Sequence, residues 1–141
     1  MHNLTDQLPL FVYGTLLPDQ QNYTRYLAGT TIAEVPATVK GELWWIGAED
    51  YPYLCPGDAV VHGRLITIAA DLFSVTISRV DALEDFIPDG PMASLYLRQP
   101  VEVQSEFGIQ LAWSYIWNRP ERPGIRLTSG AFRDRFLYSE G

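Results

Sequence analysis

The sequence predicts an α+β fold: one domain over residues 1–141, with a small mixed sheet, strongly curved or closed into a β-barrel, and a few short flanking helices. Three observations lead there. Short apolar runs recur along the chain, each bounded by turn residues. Only one stretch keeps a helical spacing of apolar residues over several turns. Four Trp, eight Tyr, six Phe, eleven Gly and ten Pro are spread over the whole length, so no linker, repeat or low-complexity block divides the chain.

Leu10 to Tyr13 reads as a first buried strand, stopped by Gly14. Pro18-Asp19 opens a short helix, with Asp19 as N-cap, Tyr23 and Leu27 as its apolar positions and Gly29 as the stop. Ile32 to Leu43 gives one or two strands around Gly41, and Gly47 to Asp58 a loop or hairpin. Val60 to Ile68 is a strong strand with a kink expected at Gly63. A helix starts at Asp71 and carries Phe73, Ile77, Val80 and Glu84 on one face. Ile87 to Pro91 breaks it. Tyr96 to Val103 and Ile109 to Trp117 then form two strands joined across Gln104 to Gly108. The tail from Asn118, with a turn at Ser129-Gly130, is expected to wrap the surface, its arginines solvated.

Composition narrows the function. Charged residues make up 19% and hydrophobic ones 47%, which excludes intrinsic disorder. A net charge of −7 makes a poor binder of nucleic acid or of an anionic membrane. The longest weakly polar stretch, Leu65 to Phe73, is too short to span a bilayer. Met1 to Pro9 lacks the basic start and apolar run of a signal peptide. Cys55 is the only cysteine, so the chain forms no internal disulfide and a reducing, cytoplasmic setting is expected.

Two features could carry chemistry. Glu84 continues an apolar helical stripe; pointing inward, its carboxyl would have a raised pKa suited to a general base. Periodicity alone favours the solvated edge instead, because glutamate is almost never fully buried unpaired. In Tyr13-Gly14-Thr15-Leu16, a strand ending in Gly brings backbone N–H donors to its end, where they can bind a carboxylate or oxyanion. As pattern alone it is an ordinary tight turn. Cys55 and His62 as nucleophile and base are disfavoured: Cys55 has no basic neighbour in sequence, and His62 sits in an apolar run. His2 and His62 do not make a metal site, and no metal spacing or phosphate-binding glycine loop is present.

Taken in order, several pieces resemble the gamma-glutamylcyclotransferase-like superfamily, and within it the small gamma-glutamylamine cyclotransferase-type proteins. They are Val12 to Leu16, Gly41-Glu42-Leu43, Tyr51-Pro52, Val61 to Leu65, Val80 to Glu84, Tyr96-Leu97-Arg98 and Ala112 to Tyr115. The resemblance covers about Leu10 to Phe136. It implies a closed β-barrel with flanking helices. It also implies that Glu84 is the catalytic acid/base and that the Tyr13, Gly14, Thr15 and Leu16 loop holds the substrate through its backbone. That reverses the preference for a solvated Glu84. Tyr96 and Arg98 follow as candidates for orienting Glu84 or closing the barrel, Arg98 alternatively as an outer-face residue.

The implied activity turns a gamma-glutamyl amine or peptide into 5-oxoproline and a free amine. The substrate's own α-amine attacks its γ-carbonyl, so holding the folded conformer is the main task. This needs a small-molecule gamma-glutamyl substrate and no cofactor or metal. A non-catalytic binder of a glutamate-like ligand is the alternative. Three departures from the family bear on that choice: Asp85 where Gly commonly follows the Glu, a longer Ile87 to Ser94 segment, and the bulky Trp44-Trp45 near the expected pocket rim.

Overall fold

A computed structural model describes residues 3–138. His2, weighed above as a metal ligand, and the end of the tail from Ser139 lie outside them. The fold is mixed α+β, a six-stranded curved sheet with a few short helices. β1 (Leu10–Val12) leads through two tight turns into α1 (Gln21–Tyr26). β2 (Thr31–Ile46) and β3 (Tyr51–Ile68) make one long hairpin. α2 (Phe73–Leu83) follows, then β4 (Tyr96–Ser105), β5 (Gly108–Trp117) and the two-residue β6 (Ile125–Arg126).

The strand pairings run in a ring. β1 pairs antiparallel with β3, β3 with β2, β2 with β4 and β4 with β5. β5 returns to β1 in parallel at Leu10 and Trp113. β2 and β3 can serve both ends of this circuit because they are long and their register shifts between Lys40 and Glu42, where Pro56 to Ala59 stand opposite the single residue Gly41. Gly63 lets β1 lie close against β3: a Cβ there would collide with the Val12 carbonyl oxygen.

Both faces of the sheet are covered, which explains why β1 is uniformly apolar rather than alternating. Leu10 and Val12 face one buried cluster with Tyr53, Ile66, Trp113 and the Phe73, Ile77 and Val80 stripe of α2. Phe11 and Tyr13 face a second with Leu43, Val61, Leu65, Leu127 and Phe132.

Several local expectations change. Asp19 is not an N-cap; Gln20 takes that position without a side-chain cap bond. The Leu17 N–H donates to Gly14 O at 2.9 Å and the Gln20 N–H to Leu17 O at 2.8 Å, and these turns delay the helix. The helix ends at Tyr26 with Leu27 as its C-cap, and Gly29, expected as the stop, lies two residues further on in the turn, at φ 84°. Ile32 to Leu43 belongs to one strand, and Gly47 to Asp58 is a hairpin whose turn spans only residues 47–50. A 3-10 turn, Ala70–Leu72, precedes α2. The tail is more than a wrapping: Leu127, Ala131 and Phe132 are buried, and Arg135 stacks on Phe132 and Phe136 at 4.0 and 4.3 Å. Among the described residues, no helix is long and apolar enough to cross a membrane.

Candidate active site

The end of α2 sets the position of Glu84. Glu84 is the C-cap residue, with φ −87° and ψ 7°. The Asp85 N–H donates to Ala82 O at 3.3 Å and the Phe86 N–H to Asp81 O at 2.9 Å, the paired bonds of a Schellman ending. Such an ending needs a left-handed residue after the cap, and Asp85 supplies it at φ 52°. Glycine takes that conformation most easily, and aspartate is among the few others that tolerate it. Asp85 therefore completes the helix end in a conformation that glycine takes most readily.

This ending turns Glu84 into a cavity of about 370 Å³. Tyr13, Gly14, Thr15, Leu16 and Tyr96 line the same cavity, so the six residues singled out in the sequence are brought together. Glu84 is half-buried, and no hydrogen bond or ion pair to its carboxyl is found among the described residues. Burial, and then the charge of Asp85, push its pKa up to about 7. Part of such a population is ionised near neutral pH and part protonated.

The turn after β1 is rigidly held. The Asn22 amide donates to Thr15 Oγ1 at 2.8 Å, and the Asn22 backbone N–H to Thr15 O at 3.0 Å. The N–H groups of Gly14, Thr15 and Leu16 have no acceptor among the described residues, and so remain available to a ligand. Gly14 is required sterically, since a Cβ there would run into the Pro52 ring.

Fixed tyrosines form the walls. Tyr96 donates to Pro52 O at 2.7 Å, Tyr13 to Tyr115 O at 2.8 Å, and Tyr115 to Asp81 Oδ1 at 2.6 Å. Asp81 is buried and receives Arg98 Nε at 2.7 Å and Nη2 at 3.1 Å. Arg98 thus neither touches the cavity nor lies on an outer face; it neutralises Asp81 behind the Tyr115 wall. Asp81 and Tyr115 escaped the sequence reading. One signal was available: Asp81 lies four residues after Ile77 and three before Glu84, so it shares the buried stripe and needs a partner there.

Other candidates fall away from the cavity. Cys55 is in the core, its thiol pushed by burial to about 11, while His62 is exposed on β3. Ile87 to Ser94 do not line the cavity; that segment folds on itself, with Ser94 Oγ accepting from the Ile87 N–H at 2.7 Å. Trp44 stacks on Tyr53, and Trp45 donates to Asp50 Oδ1 at 3.0 Å; neither lines the cavity, although Trp45 holds a residue that does.

The comparisons with known proteins decide the family. The family model described as gamma-glutamyl cyclotransferase, AIG2-like, matches residues 10–134. The chain belongs to this family. It is 30% identical over 112 residues to the gamma-L-glutamyl-butirosin B gamma-glutamyl cyclotransferase of Niallia circulans, covering 79% of this chain and 68% of that one. The solution structure of protein ytfP from Escherichia coli superposes with a TM-score of 0.63 at 26% identity, over 92% of this chain and 99% of that one. YkqA from Bacillus subtilis matches with a TM-score of 0.67 at 23% identity, over 92% of this chain but 41% of YkqA, so the chain spans less than half of that protein.

Proposed function

We propose that this gamma-glutamyl cyclotransferase family member converts a gamma-glutamyl amine or gamma-glutamyl peptide into 5-oxoproline and the free amine, with Glu84 as base and then acid. The observation that carries this reading is an unpaired carboxyl, poised near neutrality, sharing one cavity with a turn of free N–H donors.

The steps balance on these groups. Ionised Glu84 takes a proton from the substrate's α-ammonium. The freed amine attacks the γ-carbonyl carbon of the same glutamyl unit, forming the ring C–N bond and an oxyanion. As that collapses, the bond to the leaving nitrogen breaks, Glu84 returns its proton there, and the ring nitrogen passes its second proton to the departing amine, which leaves as an ammonium with Glu84 again ionised. The N–H groups of Gly14, Thr15 and Leu16 bind a negatively charged substrate oxygen. Tyr96, fixed on Pro52 O, shapes the wall that keeps the glutamyl chain curled.

The alternative is a non-catalytic binder of a glutamate-like molecule. The departures that motivate it leave the cavity intact: Asp85 keeps the Schellman ending, and Ile87 to Ser94 line none of it. A panel of gamma-glutamyl amines and peptides, assayed for 5-oxoproline, separates the two. Product that disappears in Glu84→Gln supports the enzyme. Thermal stabilisation by the panel without product would favour the binder.

A further inference from the structure

β5 pairs with β4 along its whole length, Gly108 to Trp117, without a register shift. Its other edge is used only in the second half, where Trp113 meets Leu10 of β1 and Ile116 meets Leu54 of β3. Ahead of these, no strand covers Ile109 to Leu111 among the described residues. One bond gives the direction of the free groups. The Trp113 N–H donates to Pro9 O at 2.8 Å, so it points away from β4. Backbone polar groups of a strand turn to alternate edges residue by residue. The N–H and C=O of Ile109 and Leu111 therefore point the same way, where no backbone partner meets them among the described residues.

The side chains match this bare backbone. Trp113, Leu111 and Ile109 alternate on one face of β5: Trp113 is 1% exposed, Leu111 37% and Ile109 67%. Phe107, in the turn before them, is 75% exposed. An apolar row thus runs out of the core onto an unpaired strand edge. Folded proteins ordinarily guard such edges with lysine, proline or a bulge. Phe107 to Ala112 carry no charge and no proline, in a chain of net charge −7.

We infer that this edge pairs with the same edge of a second copy of the chain, as an antiparallel two-fold dimer centred on Gln110. The free groups set the register. Outward-pointing residues pair only with outward-pointing residues. With Gln110 on the dyad, Ile109 faces the partner's Leu111, and each of the two residues both donates and accepts a main-chain hydrogen bond across the interface. The same pairs are apolar on apolar. Gly108, with no side chain, comes opposite the partner's Ala112. A dyad on Leu111 would set Ile109 against the partner's Trp113, which Pro9 already occupies. A dyad on Ile109 would set Leu111 against the partner's Phe107, which has left the strand: the Phe107 N–H donates to Ser105 Oγ at 3.1 Å as the turn bends back to β4. A second copy is favoured over an unrelated strand because the edge complements itself in hydrogen bonds and in side chains. Its uncharged stretch also lets two acidic chains meet without like charges on the paired strands. The cavities stay open, since none of Phe107 to Leu111 lines the cavity.

So short a pairing buries less than the roughly 1,200 Å² of a stable interface. The dimer is accordingly weak, with a Kd of about 10–100 μM. Sedimentation of the full chain should show its mass rise from one chain towards two between about 1 μM and 1 mM. Over that range hydrogen exchange at the Ile109 and Leu111 amides should slow several-fold, while the Gln110 amide, which points to β4, should not change. Ile109→Lys and Leu111→Glu should each stay monomeric, because each sets a charge against an apolar residue of the partner. Mixed in equal amounts they should regain dimers, since the two introduced charges then face each other across the dyad. Melting temperatures close to the parent's show that both variants are folded. A parent that stays monomeric at about 1 mM, leaving the edge to a strand of some other protein, overturns the inference. Dimers that persist in both variants, or a mixture that stays monomeric, overturn it as well.

Discussion

Asp85 closes the helix that presents Glu84 and at the same time raises the pKa of the Glu84 carboxyl. One residue thus joins a backbone role to an electrostatic one. With Glu84 near 7, kcat/KM should rise with pH through that value, because the base must be ionised to act. Asp85→Asn keeps the helix ending but removes the charge, so the rise should move to lower pH. An unchanged profile in that variant would mean that Asp85 does not act on the base.

The same carboxyl makes a prediction about stability. Its folded pKa lies above its unfolded value, so the folded state holds the extra proton between the two. That contribution is complete below the unfolded pKa, about 4.3, and is lost as pH rises through about 7. Glu84→Gln should therefore be more stable than the parent in mildly alkaline buffer, by about 1–3 kcal/mol, and unfold at a higher temperature there. The difference should vanish in acid. Parallel melting curves across pH would contradict this.

Gly14→Ala should damage the cavity through the Pro52 ring. A loss of about 1–3 kcal/mol is expected, with turnover falling as the turn is displaced. Pro52→Ala, added to it, makes room and should recover part of both. If the double variant is no better than the single one, the collision is not the cause.

Asp81 and Arg98 share a buried ion pair, and Arg98 also donates to Leu4 O at 2.9 Å. Asp81→Ala should cost about 3–5 kcal/mol, because it strands the guanidinium without its partner. Replacing both residues by apolar ones should cost much less than either single change implies. Chemical denaturation of the three variants gives the comparison, and additive losses would rule out coupling.

How much of this was written in the chain depends on the range of the interaction. The curved α+β sheet followed from local signals: β1, α2 and the β4–β5 hairpin are set by apolar spacing and turn residues. The stripe Phe73, Ile77 and Val80 is buried as its spacing required. Periodicity could not place Glu84, because the stripe reaches it just where the helix ends. The C-cap geometry, fixed by Asp85, aims it into the cavity. The pieces that hold Asp81 and Tyr115 were visible in the sequence, but their roles were not, because each finds its partner on another element. Tyr115 donates to Asp81, 34 positions away. The Asp19 cap failed for a local reason: the turns after Gly14 claimed the residues that a longer helix would have used.

Arg135 grips Asp50 across a separation of 85 positions, and Asp50 borders the cavity. Position along the chain is therefore no guide to insulation in this molecule. Shortening or replacing Arg135, far along the tail, is therefore expected to be felt at the cavity wall through Asp50.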